Sequence, residues 1–420
     1  MNPTEMIFEE WKTYAGKKTL KKRALDMSGL ISNSSLKIIG ITGIRRSGKS
    51  SILIMLQQEL VTKGKNAAYI NLEDSRIKDT KTVLDDVLKW FGDTGFLMLD
   101  EITSVNDWEG WLARNHELLK GRLHLIVSSS RKKLVLPSRP LRGRMLNYEL
   151  YPLSFKEFLK FKEIKVELTV AGTGRIEQAL DEYLIYGGFP EVVLTDDKTD
   201  KIQILNSYFR DIIGLDVAEM SDNSITTVEL FGKYILESPY FSASKCLNFF
   251  KGLGHKIGKE SLLDLEKYSQ EGYLFFFVSI FSHTIKDRAQ YPRKAYLGDT
   301  GFMYSMSGRI DNGRLFENAV YLELKRNTPQ QYDINYWKST QGHEVDFVIR
   351  EGLATKEIIQ VTYELKSVTT KDREVRGLVA LARESGLDNG LIITKDFDKV
   401  ETIDGIKVNF MPLWRWLLKL

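Results

Sequence analysis

Short apolar runs punctuate the N-terminal third of the chain: Leu36-Lys-Ile-Ile-Gly-Ile41, Asn66-Ala-Ala-Tyr-Ile-Asn-Leu72, Gly95-Phe-Leu-Met-Leu99 and Leu123-His-Leu-Ile-Val127. Continuous rather than alternating, they read as strands buried on both faces, the pattern of a parallel sheet covered by helices. The period turns helical between them, at Ser51-Ile-Leu-Ile-Met-Leu-Gln-Gln-Glu-Leu60 and again at Thr82-Val-Leu-Asp-Asp-Val-Leu-Lys-Trp90. Alternating strands and helices define an α/β domain. Residues 5 to 30, ahead of it, read as helical and carry a basic knot, Lys17-Lys-Thr-Leu-Lys-Lys-Arg23. Such a knot is either a solvated helix face or a nucleic-acid contact.

From Pro152 the spacing is helical to about residue 222, broken at Tyr186-Gly-Gly-Phe-Pro190. Residues 227 to 300 predict a winged helix-turn-helix. A helix near Val228 to Glu237 is followed by one capped by Ser242 and running to Lys251. A glycine-bearing turn (Gly252 to Gly258) leads to a third helix, Lys259 to Gln270. The run from Leu274 and the basic strand Arg288 to Tyr296 form the wing. The remainder is a second α/β unit: helix Arg314 to Leu324, strands around Tyr336, Glu344 to Ile349 and Glu357 to Val361, a helix near Glu374 to Glu384, strand Gly390 to Thr394, and a docking helix in Met411 to Leu418. The expected domains are therefore 1–150, 151–225, 226–300 and 301–420.

The chemistry concentrates after the first strand. Gly43-Ile-Arg-Arg-Ser-Gly-Lys-Ser50 fits the phosphate-loop pattern G-x-x-x-x-G-K-[ST], between a buried strand and a helix. Gly43 and Gly48 allow the backbone to curl around an anion, and the amides of Arg45, Arg46, Ser47 and Ser51 border the same cradle. Lys49 is placed to reach the β- and γ-phosphates of ATP and Ser50 to ligate Mg2+. The third apolar run ends in Asp100-Glu101, at the strand end where parallel sheets bind ligands. Asp100 is the expected metal position and Glu101 the group that polarises the attacking water. The fourth run ends in Ser128-Ser-Ser130; Ser130 could orient that water, or the serines could cap a turn. Of the two arginines in Leu141-Arg-Gly-Arg-Met145, Arg144 is preferred over Arg142 as an arginine finger, with a plain surface arginine as the alternative.

Composition narrows the partners rather than naming them. With 43% hydrophobic and 28% charged residues in 420, the chain is globular and multidomain. Sixty Lys and Arg against 56 Asp and Glu leave a net charge of +4, so nucleic-acid binding must come from local clusters. The third helix of the winged segment is acidic, with Glu260, Asp264 and Glu266 against Lys259 and Lys267, a face phosphates repel. Lys286, Arg288, Arg293 and Lys294 of the wing are better phosphate contacts. A single cysteine, Cys246, no basic apolar leader, and a longest apolar run (Leu274 to Phe281) too short to cross a bilayer fit a cytoplasmic protein away from membranes. In the C-terminal unit, Glu317, Asp346 and Gln360 could converge as oxygen ligands for Mg2+, or could be unrelated polar residues at element ends.

The ordered set Gly-Ile-Arg-Arg-Ser-Gly-Lys-Ser, Leu-Asp-Glu-Ile, Ser-Ser-Ser-Arg-Lys-Lys-Leu, Gly-Arg, Pro-Leu-Ser-Phe-Lys-Glu-Phe and Gly-Gly-Phe-Pro-Glu-Val resembles archaeal and bacterial ATPases of the AAA+/STAND group. These carry a C-terminal PD-(D/E)xK nuclease-like module. The resemblance implies a P-loop NTPase (AAA+-like) core with a helical lid, a winged helix-turn-helix and a restriction-endonuclease-like α/β domain. It places Gly188 and Pro190 beside the adenine and makes Arg144 a trans-acting finger. In the nuclease-like module Glu317 and Asp346 match the two acids. The Glu-x-Lys that should follow reads Gln360-Val-Thr362, which removes the lysine and points to a degenerate site that binds or docks rather than cuts. The implied activity is ATP hydrolysis in a homo-oligomeric ring, a hexamer being one form, that acts on DNA. The alternatives are a STAND-like signalling or defence switch that engages a protein partner, and a Mg2+-dependent DNA nuclease coupled to ATP.

Overall fold

The structure, a computed structural model, describes residues 2–134, 139–282, 284, 291–365 and 368–420. It divides into two compact units, one of Met1–Tyr151 with Glu271–Tyr273, the other of Pro152–Gln270 with Leu274–Leu420.

The first unit is an α/β domain on a five-stranded sheet. Its strands are β1 (Ile38–Thr42), β2 (Ala67–Asn71), β3 (Gly95–Asp100), β4 (Leu123–Ser129) and β5 (Met145–Glu149), in the order β2-β3-β4-β1-β5. Every pairing is parallel. The side-chain alternation of a strand explains why the runs are apolar throughout. Ile38, Ile70, Leu97, Leu99, Leu125 and Val127 enter one core layer. Their neighbours Ile39, Ile41, Tyr69, Met98 and Ile126 enter the other. Helices α4 (Val83–Phe91) and α5 (Trp108–Leu118) close the first layer through Val83, Val87, Trp108 and Leu112. Helix α3 (Lys49–Thr62) closes the second through Ile52, Leu53, Leu56 and Leu60.

Two differences from the sequence reading stand out. The N-terminal helical stretch is two helices, α1 (Pro3–Lys17) and α2 (Met27–Asn33), and Arg23 lies in the link between them. Strand β5 was not expected, because Met145-Leu-Asn-Tyr-Glu149 mixes polar with apolar positions, and its residues are only partly covered. It is an edge strand, paired on one side only.

In the second unit, α6 (Phe155–Phe161), α7 (Val170–Tyr186), α8 (Pro190–Leu194), α9 (Lys198–Asp211) and α10 (Glu219–Ser221) form a helical stretch, with a π-helical segment at Ile212–Ala218. The motif Ser154-Phe-Lys-Glu157 that opens it is a capping box: the Ser154 hydroxyl accepts from the Glu157 N–H, and the Glu157 carboxylate accepts from the Ser154 N–H. Next come α11 (Ile225–Glu237), β6 (Tyr240–Phe241), α12 (Ala243–Gly252), α13 (Lys259–Glu271), β7 (Phe275–Val278) and β8 (Arg293–Leu297), the strands pairing antiparallel in the order β6-β8-β7. Ser242 precedes α12 but makes no side-chain cap bond.

Helices α14 (Gly301–Ser307) and α15 (Asn312–Asn327) lead into a six-stranded mixed sheet. It comprises β9 (Tyr332–Lys338), β10 (Glu344–Glu351), β11 (Ala354–Val361), β12 (Asn389–Thr394), β13 (Lys399–Ile403) and β14 (Ile406–Pro412), in the order β13-β14-β12-β11-β10-β9. Helix α16 (Val368–Ser385) packs on this sheet through Val375, Leu378, Val379 and Ala382, against Val348, Ile358, Ile392 and Val408. The last helix, α17, is shorter than the docking segment read from the sequence, covering Leu413–Leu418 because Met411 and Pro412 still belong to β14. Among the described residues no helix is long and apolar enough to cross a membrane.

Candidate functional site

The phosphate loop joins β1 to α3 as its pattern requires. Gly43 has φ +149°, and a Cβ there would lie 1.9 Å from the Leu150 carbonyl oxygen at the end of β5. Gly48 has φ +101° at the start of α3. These two positions admit no side chain without distortion. Lys49 is 4% exposed, and its ammonium donates to the carbonyls of Gly43 at 2.9 Å and Ile44 at 3.2 Å. The same nitrogen lies 3.7 Å from the Glu101 carboxylate, so loop and acid pair face each other.

Asp100 ends β3 and is 2% exposed. The Tyr69 hydroxyl donates to its Oδ2 at 2.6 Å, and the Ser128 hydroxyl bonds its Oδ1. Burial first, then the Glu101 charge, pushes the Asp100 carboxyl above the usual carboxylate range; hydrogen bonds from Ser128, Ser50 and Tyr69 act against that rise. Tyr69, desolvated and beside Asp100, is held firmly protonated, so it serves as a donor. Glu101 turns the chain into the left-handed region, φ +50°. Its N–H donates to Ser128 Oγ at 3.0 Å, and its carboxylate accepts the Ser130 N–H at 2.9 Å. The serine run thus organises both acids. Ser128 is the side chain that touches Asp100, while Ser130 holds Glu101 through its main chain. Among the expected site residues, Ser50, Asp100, Glu101, Lys49 and Ser130 come together.

The loop has further partners. Arg45 pairs with Glu73 at 3.6 Å. Arg46 is exposed with φ +69°. Ser47 is fully buried, and its carbonyl accepts from Arg23 Nη1 at 2.7 Å; Arg23 Nη2 donates to the Tyr151 carbonyl at 3.1 Å. Arg23 of the basic knot is therefore turned inward rather than offered to solvent or nucleic acid. At the base of the loop, the Tyr273 hydroxyl lies 3.0 Å from Thr42 Oγ1 and 2.9 Å from Glu149 Oε1. Tyr69, Ser128, Arg23 and Tyr273 were not singled out by the sequence reading. Only Ser128 carried a signal, a hydroxyl at the end of a buried strand.

Of the remaining expected residues, Arg144 lies apart from this cluster within the first unit, and the others belong to the second unit. Arg144 precedes β5, where its carbonyl accepts the Ile38 N–H, so it sits at the opposite end of β1 from the phosphate loop. Five strand residues separate those ends by about 17 Å. The Arg144 guanidinium meets Glu117 at 3.4 Å and the Pro140 carbonyl at 3.2 Å. Gly188 and Pro190 belong to the second unit. The Gly188 N–H donates to the Asp299 carboxylate at 2.8 Å and its carbonyl accepts from the Leu153 N–H at 2.7 Å, so the Gly-Gly-Phe-Pro turn is a packed junction.

Glu317 and Asp346 meet around an ammonium, while Gln360 reaches only the Asp346 main chain and Glu374. Lys294, 4% exposed, donates to Asp346 at 2.6 Å and Glu317 at 3.0 Å, and lies 2.8 Å from Glu344. The Tyr296 hydroxyl donates to Glu317 at 2.6 Å. Gln360 accepts the Asp346 N–H at 3.0 Å and donates to Glu374 at 2.6 Å. Among the described residues no His, Cys, Asp and Glu group has the makings of a metal site. The expected phosphate contacts of the wing need correction accordingly. Lys294 is buried among acids, Arg293 is bonded to Glu266, and Lys286 and Arg288 lie outside the described residues. Glu266 is itself buried, which leaves Glu260 and Asp264 as the exposed acids among those three.

A phosphate loop opening a helix, an acid pair on a non-adjacent parallel strand, and a polar strand end between them define a P-loop NTPase core. Residues 35–159 match the family described as an AAA domain. Residues 177–312 and 312–416 match families described as domains of unknown function, DUF8612 and DUF4143. The chain is 32% identical over 400 residues to an uncharacterized protein of Methanocaldococcus jannaschii, MJ1544, covering 91% of this chain and 88% of that one, and it belongs to the same family. An uncharacterized protein of Haemophilus influenzae is 26% identical over 399 residues, 89% of this chain and 93% of that one. Among solved structures, replication initiator DnaA bound to AMPPCP and single-stranded DNA gives a TM-score of 0.32 at 14% identity, over 64% of this chain and 92% of that chain.

Proposed function

We propose that the protein is an ATP-hydrolysing AAA+-type switch or motor, and the observation that carries this reading is the Lys49 ammonium 3.7 Å from Glu101 with Asp100 beside it. On nucleotide binding, Lys49 Nζ exchanges the Gly43 and Ile44 carbonyls for phosphate oxygens, and the loop amides with the α3 N-terminus take the remaining charge. Bound Mg2+ supplies further neutralisation of the phosphates, and the Ser50 hydroxyl and Asp100 carboxylate are the hard oxygen donors that would hold it. Glu101, fixed by the Ser130 N–H, accepts a proton from the attacking water at its carboxylate. Lys49→Ala should abolish ATP turnover, and Glu101→Gln should keep nucleotide binding while stopping turnover. Undiminished hydrolysis in the lysine variant would overturn the assignment.

We read residues 1–150 as the ATPase core, 151–225 as a helical lid, 226–300 as a winged helix and 301–420 as a nuclease-like domain. The helix-strand-helix-helix-strand-strand order of α11 to β8 supports the third of these. Arg144, far from its own phosphate loop, serves a neighbouring subunit of a homo-oligomer. The first partner we assign is DNA, supported by Lys251, Lys256 and Lys259, exposed around the turn before α13. A second reading, a STAND-like switch that engages a protein, is favoured by the engagement of Arg293 and Lys294 with acids. ATPase rates with and without single-stranded, duplex and branched DNA across a salt series separate them, since phosphate contacts weaken steeply with salt. Nuclease action is the weakest reading, because an ammonium already occupies the space between Glu317 and Asp346. Mg2+-dependent DNA cleavage lost in Asp346→Ala would restore it.

A further inference from the structure

We infer that Arg23 is a positioning residue that presets the phosphate loop for nucleotide, an inference resting on the nucleotide-binding reading above. Arg23 lies in the link between α1 and α2, well ahead of the loop in sequence, yet its two terminal nitrogens reach two different carbonyls. Nη1 holds Ser47 O at 2.7 Å and Nη2 holds Tyr151 O at 3.1 Å. Ser47 is the residue before Gly48, and the peptide joining them is planar and trans, with its C=O and N–H on opposite sides. Anchoring the Ser47 carbonyl on Arg23 therefore turns the Gly48 N–H away from Arg23. That is the direction a phosphate-binding amide must take. The Ser47 side chain is not the anchor: its hydroxyl is buried and lacks a hydrogen-bond partner among the described residues.

The carbonyl at Tyr151 gives the bridge a fixed foot. Tyr151 directly follows Leu150, whose N–H donates to the Thr42 carbonyl and whose own carbonyl faces Gly43. Arg23 thus bridges the chain just past β5 and the phosphate loop. A planar fork with donors on separate nitrogens can do this, and a lysine, with donors on one nitrogen, cannot hold both carbonyls in the same way. Fixing the loop before nucleotide arrives lowers the ordering cost of binding, so the contribution appears in affinity.

The test compares wild type, Arg23→Ala and Arg23→Lys by titration with a fluorescent ATP analogue and by steady-state ATP hydrolysis. Expected is a loss of nucleotide affinity of roughly 10- to 100-fold in Arg23→Ala, the range for charged hydrogen bonds, with kcat within about threefold of wild type. Arg23→Lys should recover less than half of the logarithmic loss. Amide hydrogen exchange at Gly48–Ser50 in nucleotide-free protein should speed up in both variants while the melting transition stays cooperative. If Arg23→Lys binds as tightly as wild type, the effect is charge alone and the positioning role is overturned. Affinity within twofold of wild type in Arg23→Ala overturns it as well, while leaving the nucleotide site intact. Absence of nucleotide binding by wild type would instead remove both this inference and the ATPase reading.

Discussion

At the scale of single residues, the phosphate loop was legible because its constraints are local and steric. Gly43 has no room for a Cβ beside Leu150 O, and Gly48 takes a backbone angle that side chains disfavour. Asp100-Glu101 was legible because an apolar run that ends in paired acids has few structural uses. The roles of Ser128 and Ser130 were not separable, since which hydroxyl meets Asp100 depends on how β4 aligns with β3, Leu99 opposite Val127. Arg23 has partners 24 and 128 residues away, so within the basic knot nothing local sets it apart. The Ser128 contact makes a direct prediction. Ser128→Ala removes a hydroxyl that bonds Asp100 and accepts from the Glu101 N–H, so kcat for ATP should fall about tenfold or more. Ser130→Ala keeps the main-chain bond to Glu101 and should fall less; steady-state hydrolysis by the two variants checks the order.

At the scale of elements, periodicity located the central strands and most helices but not their neighbours. The order β2-β3-β4-β1-β5 inserts β4 between the phosphate-loop strand and the acid strand, which is what brings the serine run between the two half-sites. Strands β5, β13 and β14 escaped: β5 and β13 are paired on one side and carry mixed polarity, and β14, though paired on both sides, alternates buried with less buried positions. The Gly-Gly-Phe-Pro turn shows the opposite problem, a motif with a purely local appearance and a distant partner. Asp299 accepts the N–H groups of Gly188 and Gly301, and burial pushes its carboxyl up to about 7 despite those bonds. The folded state then holds a proton that the unfolded chain has released. Stability should fall as pH rises from the ordinary carboxylate range through about 7, at up to about 1.4 kcal/mol per pH unit. Urea melts of wild type and Asp299→Asn between pH 5 and pH 8 check this. The variant should be less stable at pH 5, where it loses good acceptor geometry, and the gap should narrow toward pH 8.

At the scale of the whole molecule, the chain combines a nucleotide core with a second unit whose family descriptions carry no activity. Its own sequence made the core plain and the second unit harder to read, because a phosphate loop has a short pattern and a mixed sheet has none. The assembly question rests on Arg144, seated at the end of the sheet away from its own loop. A trans-acting finger predicts complementation. Lys49→Ala and Arg144→Ala should each be inactive or slow alone, the latter with near-normal nucleotide affinity, since a finger acts on the transition state. Mixing the two should raise the ATPase rate above the sum of the separate rates, because an intact phosphate loop then meets an intact arginine. A mixture that only averages its components would assign Arg144 to its exposed ion pair with Glu117.

Lys294 has a consequence of its own. An ammonium lodged within reach of Glu317, Glu344 and Asp346 offsets part of the charge of these three acids from within the chain. Chelation with EDTA should therefore leave the melting transition of the second unit unchanged. On the ATPase reading proposed above, the same chelation would stop Mg2+-dependent hydrolysis at the phosphate loop.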